Sequence, residues 1–353
     1  MKDITSQNIE SFVNLIKEAK RIAIVGHMKP DGDALGSTIG MYHYLELCGK
    51  EEVRIVLPHK TQAYLNFLID NHTAQDLVIH EDQPESAEKI ISDSDLIICQ
   101  DFNAFHRTDR LEDPLARSTA RKILIDHHLN PARELFDLSF SETEISSASE
   151  LTYQILMQTP IINGDARKLP EKSAVALMTG MTTDTNNFAN SVFPSTLQMA
   201  SALLEAGVDR DMIITNIYQQ HSESRMRLMG DILKNLMTIT SDGVAYIILD
   251  KYILQEYNVK EGDTEGFVNL PLSIANVRMS LLLKEDGDKI RVSIRSKKGV
   301  SANRCSKLHF NGGGHENAAG GRLFMPQDVE NIGQAAAYIE KNTHIFMTSE
   351  NEE

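Results

Sequence analysis

The stretch "GHMKPDGDALGS" places His27, Asp31 and Asp33 in one short loop, with Pro30 and Gly32 shaping the backbone between them. Imidazole and carboxylate are the side chains that hold divalent cations without thiolate, a donor set suited to manganese, cobalt or magnesium more than to structural zinc. The same stretch also has an ordinary reading, because Asp, Gly and Pro build turns routinely. What decides between the two is whether other donors converge on the loop. Asp101 follows the apolar run "DLIICQ", Asp126, His127 and His128 end "KILID" and its continuation, and Asp184 lies in "TGMTTDT". Taken singly, Asp101 reads as a turn, "HH" as a surface pair and Asp184 as an N-cap. Together they offer more donors than one ion needs. Two metals about 3.5–4 Å apart clamp the attacking and leaving oxygens of an in-line phosphoryl displacement.

The elements that must position these groups can be read from the pattern. "RIAIVG" (21–26), "VRIVL" (53–57), "DLIICQ" (95–100) and "KILID" (122–126) are short apolar runs of strand length. Helical spacing lies between them, as in Leu35, Ile39, Tyr42 and Leu45, and again in "SAVALMTGM" (173–181). Alternating strands and helices predict an α/β domain with a parallel sheet flanked by helices, whose ligands bind beyond the carboxyl ends of the strands. Each candidate donor from the first three segments falls at such an end. Adjacent His127 and His128, read as strand residues, should project to opposite sides.

The pattern changes near residue 208. Residues 1–207 are expected to form the metal-binding domain, 208–230 a helical linker and 231–345 a smaller C-terminal α/β domain with a mixed sheet. Residues 346–353 form an acidic tail, with "MTSENEE" expected to be disordered. In the second domain "GVAYIILD" (243–250), "VRMSLLLKE" (277–285) and "KIRVSIRS" (289–296) read as strands, the last two joined through "DGD" as a hairpin. "FNGGGHENAAGG" (310–321) is glycine-dense but is no dinucleotide fingerprint, because Asn317 stands where the last glycine should be.

Composition bounds the partners. The 353 residues carry a formal net charge of −15, which argues against duplex DNA and leaves small phosphates open, since bound cations and a few arginines can invert the local potential. No apolar run has the length of a membrane span, and "MKDITSQNIE" lacks the basic and apolar regions of a signal peptide. Cys48, Cys99 and Cys305 are odd in number and unpaired in spacing, which suits a reducing cytoplasm.

The order and spacing of "GHMKPDGDALGS", Asp101, "DHH" and "TGMTTDT", followed by "SIRSKKGV" and "GGGHENAAGG", resemble the DHH phosphoesterase superfamily and its DHHA1 subgroup over about residues 10–345. The branch it looks most like is that of NrnA-like oligoribonucleases and 3′-phosphoadenosine 5′-phosphate (pAp) phosphatases. The resemblance implies two divalent ions, with manganese preferred and magnesium or cobalt as alternatives, that activate a bridging hydroxide. It implies one ion on His27, Asp31 and Asp101, and a second on Asp33, Asp101, His127 and Asp184. Asp126 would orient the histidines, and His128 would meet the substrate phosphate as donor or general acid. In the C-terminal domain, Arg295 and the run Gly312, Gly313, Gly314 and His315 would hold the rest of a short oligoribonucleotide or small nucleotide. Two departures stand out: Asn311 replaces the first of four glycines, and Glu316 replaces a basic residue after the histidine. The competing readings are an inorganic pyrophosphatase or exopolyphosphatase, and a nucleotide sensor without turnover, which should have lost metal ligands. A homodimer stays open.

Overall fold

The computed structural model describes residues 2–260 and 262–350, with the backbone alone for His315 and Glu350. The chain forms two compact units, 1–220 and 221–353.

In the first unit, β1 (Arg21–Val25), β2 (Glu52–Leu57), β3 (Leu77–Ile79), β4 (Leu96–Gln100), β5 (Arg121–Asp126) and β6 (Leu138–Ser141) make one six-stranded sheet in the order β3-β2-β1-β4-β5-β6. Every pairing in it is parallel. The apolar runs are uninterrupted because both faces are covered. Ile22 and Ile24 enter one core with Phe12, Leu35, Leu151 and Leu177, while Ala23 and Val25 enter the other with Ile91, Phe102 and Leu115. The order reverses between β1 and β4, which opens a crevice beyond their carboxyl ends. The segments after those two strands carry His27 and Asp101.

The second unit holds a mixed sheet of β7 (Met237–Ile239), β8 (Val244–Leu249), β9 (Met279–Asp286), β10 (Lys289–Ser296), β11 (Gly313–His315) and β12 (Ala318–Phe324), in the order β11-β12-β10-β9-β8-β7. β8 and β9 run parallel, and the other pairings among the described residues are antiparallel. Alternate residues again serve two cores: Leu281 and Leu283 pack with Phe310 and Ile339, and Leu282 with Phe267 and Leu228. The expected hairpin between β9 and β10 turns at Gly287, at φ 65°. The glycine-dense segment 310–321 contains β11 and the start of β12, which pair as a hairpin.

Residues 208–230 form the helices Arg210–Tyr218 and Glu223–Asp231. Ile213 and Ile217 are buried in the first unit's core, and Leu228 in the second unit's. The Ala335–Glu350 helix runs through the first residues of the expected acidic tail, with Phe346 and Met347 buried in the second core, and 351–353 lie outside the described residues. Among the described residues no helix is long and apolar enough to cross a membrane.

Candidate metal centre

The questioned loop leaves β1 and enters the Gly32–Leu47 helix. Asp31 is that helix's N-cap, accepting the N–H groups of Asp33 and Ala34 at 3.0 and 3.1 Å. A carboxylate at an N-cap satisfies free helical amides and keeps one oxygen for another partner. His27 donates from Nδ1 to the Met28 carbonyl at 2.8 Å, which leaves Nε2 facing Asp101 at 3.3 Å and Asp31 at 3.7 Å. His27, Asp31 and Asp101 thus form one set of donors close enough to share an ion.

Asp33 is fixed from a different direction. Its two carboxylate oxygens accept the backbone N–H groups of Ala148 and Ser149 at 2.6 and 2.8 Å, the open N-terminus of the Ala148–Met157 helix. Gly180 leaves the space this requires, since a Cβ there would lie 2.9 Å from Asp33 Oδ1 and against the Ser149 hydroxyl. His127 Nε2 faces Asp101 at 3.4 Å, Asp184 at 3.5 Å and Asp33 at 3.8 Å, and Asp33, His127 and Asp184 make a second set of donors. Asp184 is the last residue of the Glu171–Asp184 helix, where the macrodipole disfavours a negative charge. Asp101 follows β4 directly at φ 63°, held by its N–H on the Ile125 carbonyl at 3.0 Å.

The two adjacent histidines do not diverge as expected. β5 ends at Asp126, so the alternation of a strand no longer governs His127 and His128, and their rings meet edge-on with centroids 4.7 Å apart. Asp126 is fully buried, and its carboxylate grips His128 twice, accepting from the backbone N–H at 3.1 Å and from Nδ1 at 2.7 Å. His128 Nδ1 also lies 3.7 Å from Asp101, and Asp101, His127 and His128 form a third donor set.

The electrostatics call for a cation. Burial pushes the Asp33 carboxyl up to about 7, with Asp101 adding to the rise and His127 opposing it. Burial likewise pushes Asp184 up to about 8, reinforced by Asp33. Burial acts against charge on His127 and His27. The carboxylates around them prevail, holding His127 at about 10 and His27 well above its ordinary value. Burial would raise Asp101, yet the two imidazoles hold it well below the usual carboxylate range. Even so, among the described residues no hydrogen-bond donor reaches the buried Asp101 Oδ1. Three crowded carboxylates and an unfilled buried acceptor fit divalent metal, which would replace proton-sharing as their compensation.

Sequence reading missed the amides that hold Asp33. The signal was present as "SASE" (147–150): Ser147 caps the helix by accepting from the Glu150 N–H at 2.9 Å, the S-x-x-E start of a capping box. Glu150, fully buried, departs from the usual box by accepting from Ser146 and Thr196 instead.

In the second unit, Arg295 lies on β10, half-buried, with Nη1 donating to the Ile294 carbonyl at 2.9 Å. Burial lowers its pKa, and among the described residues no carboxylate is within ion-pair distance of it. The glycines have a packing reason of their own. A Cβ on Gly312 would strike the Gly320 carbonyl, and one on Gly314, at φ 155°, would lie 2.5 Å from the Ala318 carbonyl. A Cβ on Gly313 would meet only ordinary contacts. Asn311 takes the missing glycine's place at φ 47°, a left-handed conformation asparagine tolerates, and ties to Arg322 and Asp328. Glu316 accepts from the Ser301 hydroxyl at 2.9 Å. The His315 side chain lies outside the described residues.

A reversed parallel sheet with these histidines and carboxylates at its switch point is the arrangement of a known class. Residues 21–181 match the DHH family, N-terminal domain, and residues 242–342 match the DHHA1 domain. The chain belongs to the DHH family. It is 36% identical to a structurally determined exopolyphosphatase-related protein from Bacteroides fragilis, with 99% of each chain covered and a TM-score of 0.90. It is 29% identical to NrnA of Streptococcus mutans, named a probable bifunctional oligoribonuclease and PAP phosphatase, over 90% of this chain and 94% of that one. Identity to the Bacillus subtilis bifunctional oligoribonuclease and PAP phosphatase NrnA is 26%, over 87% and 90%.

Proposed function

We propose that this protein is a metal-dependent hydrolase of phosphoric esters that cleaves short oligoribonucleotides and removes the 3′-phosphate of pAp. The observation that carries the reading is the convergence of His27, Asp31, Asp33, Asp101, His127 and Asp184 at the switch point of the first sheet. The names of the NrnA relatives supply the substrate class. His27, Asp31 and Asp101 would hold one ion, Asp33, Asp101, His127 and Asp184 a second, with Asp101 shared. Two divalent ions held there would supply the positive charge that stabilises the attacking and leaving oxygens of an in-line displacement.

The protein's own groups do the rest. Asp126 takes the Nδ1 proton of His128 in a hydrogen bond, which fixes the orientation of the ring. Carrying a proton on each ring nitrogen, His128 then donates the Nε2 proton to a phosphate oxygen or to the departing alkoxide and is left neutral, with its Nδ1 proton still hydrogen-bonded to Asp126. Asp33 keeps its orientation through the amides of Ala148 and Ser149, and His27 through the Met28 carbonyl. Arg295 and the backbone of Gly312, Gly313 and Gly314, with His315, take a second phosphate or base of the nucleotide. A guanidinium with no carboxylate partner grips phosphate through two parallel N–H groups. Nothing in the −15 net charge favours a long strand, since each phosphate outside the site meets an acidic protein. Manganese is the expected ion.

The test is competition among pAp, pApA and RNAs of increasing length at fixed salt, with pyrophosphate and polyphosphate alongside. Short nucleotides should be turned over best, and affinity should not grow with length. Arg295→Ala should impair pAp and the dinucleotide by about 10–100-fold, the loss of a charge-assisted contact worth roughly 1.5–3 kcal/mol. A small chromogenic phosphodiester that fills only the metal site should be barely affected. Preference for polyphosphate would instead favour the exopolyphosphatase reading, and preference for long RNA would point to a processive exonuclease.

A further inference from the structure

The loop that carries His27 and Asp31 is held from outside by residues that no ion in the proposed centre would touch. Lys29 lies in the middle of it at φ 53°, in the left-handed region that side-chain-bearing residues avoid. A β-carbon there disfavours the conformation, so surrounding bonds must impose it. Two do so directly. The Lys29 N–H donates to His59 Nδ1 at 3.2 Å, and the Met28 N–H donates to the Arg107 carbonyl at 2.7 Å. The Met28 carbonyl in turn accepts from His27 Nδ1 and sets the direction of that ring.

His59 is itself fixed. Because its Nδ1 accepts, the neutral ring carries its proton on Nε2, and Nε2 lies 3.2 Å from Asp109 Oδ2. Asp109 is a second non-glycine residue with positive φ, at φ 51° and ψ −121°, inside the Phe105–Leu111 segment that also supplies the Arg107 carbonyl. His59 follows β2, His27 follows β1, and the Asp109 segment follows β4. The imidazole therefore links the carboxyl-end segments of three neighbouring strands, and its two nitrogens serve two of them.

We propose that His59 and Asp109 are positioning residues that hold the 27–31 loop in the one conformation where His27 and Asp31 meet Asp101. The inference rests on the metal-holding reading of that set. It assigns to this pair the task of setting the affinity of the His27, Asp31 and Asp101 site without touching the ion. The Asp33, His127 and Asp184 site, anchored by a different helix, stays outside its influence.

Manganese titration of the metal-stripped full chain, following free Mn2+ by electron paramagnetic resonance, tests this with melting temperature as the control for folding. His59→Ala should weaken one of two manganese sites by about 10–100-fold, the usual effect of removing a group behind a ligand, and leave the other site and the melting temperature nearly unchanged. Asp109→Asn, a milder change, should weaken the same site less. His59→Asn, whose amide oxygen can stand where Nδ1 stood, should recover much of the affinity. Lys29→Gly placed in the His59→Ala background should also recover it, because glycine adopts positive φ without strain. Equal weakening of both sites, no weakening, or a loss that neither His59→Asn nor Lys29→Gly repairs would overturn the proposal. A wild-type chain that binds no manganese would instead remove the metal reading on which it rests.

Discussion

Asp101→Asn should fold normally and lose almost all turnover. The residue sits at φ 63° directly after β4, and asparagine tolerates that conformation nearly as well as aspartate. Its N–H bond to the Ile125 carbonyl is untouched by the change. What disappears is the charge shared by both proposed ion sites, the carboxylate facing His27 at 3.3 Å and His127 at 3.4 Å. A buried electrostatic group of this kind is worth about 10²–10³-fold in rate, and sharing between two sites places the expected loss at the upper end or beyond. Manganese titration should show both sites weakened together. The check is kcat on pAp and pApA beside an unchanged melting temperature; turnover within about tenfold of wild type, roughly 1.4 kcal/mol of barrier, would mean that Asp101 holds no ion needed for the reaction.

The adjacent histidines should separate by what they lose. His127→Ala removes the imidazole that faces Asp33, Asp101 and Asp184 together, so manganese occupancy should fall along with activity. His128 has its Nδ1 committed to Asp126 at 2.7 Å, so His128→Ala should leave both ions bound while slowing turnover by about 10²–10⁴-fold, the range for a missing general acid or base. Metal content by mass spectrometry, measured beside kcat, distinguishes them. Equal metal loss in both variants would place His128 among the ligands, as its 3.7 Å approach to Asp101 allows.

Much of the first unit is legible because burial on both faces writes itself as unbroken apolar runs. β1, β2, β4 and β5 fall within a residue or so of the runs at 21–26, 53–57, 95–100 and 122–126. The rule that ligands gather beyond the carboxyl ends then brings His27, Asp101 and His127 together without coordinates. Short or polar strands give no such signal. β3 is three half-buried residues, and β6 reads "LSFS". β11 and β12 are hidden by their glycines, which look like a loop until the strand pairing and the close backbone contacts at Gly314 and Gly321 are seen. The directions of His127 and His128 escape the strand rule because the strand ends one residue too soon for alternation to apply. Asp33's amide partners lie more than a hundred residues away in sequence, a separation that local pattern does not span.

The central claim is that hydrolysis of short nucleotides depends on divalent metal held by this set of histidines and carboxylates. The most direct measurement is turnover of pAp and pApA by the full chain after metal is stripped with chelator, and again after manganese is returned in measured equivalents. Activity should vanish on stripping and return as manganese is added, reaching its plateau near two ions per chain. Full hydrolysis by protein shown to be free of metal would contradict the account.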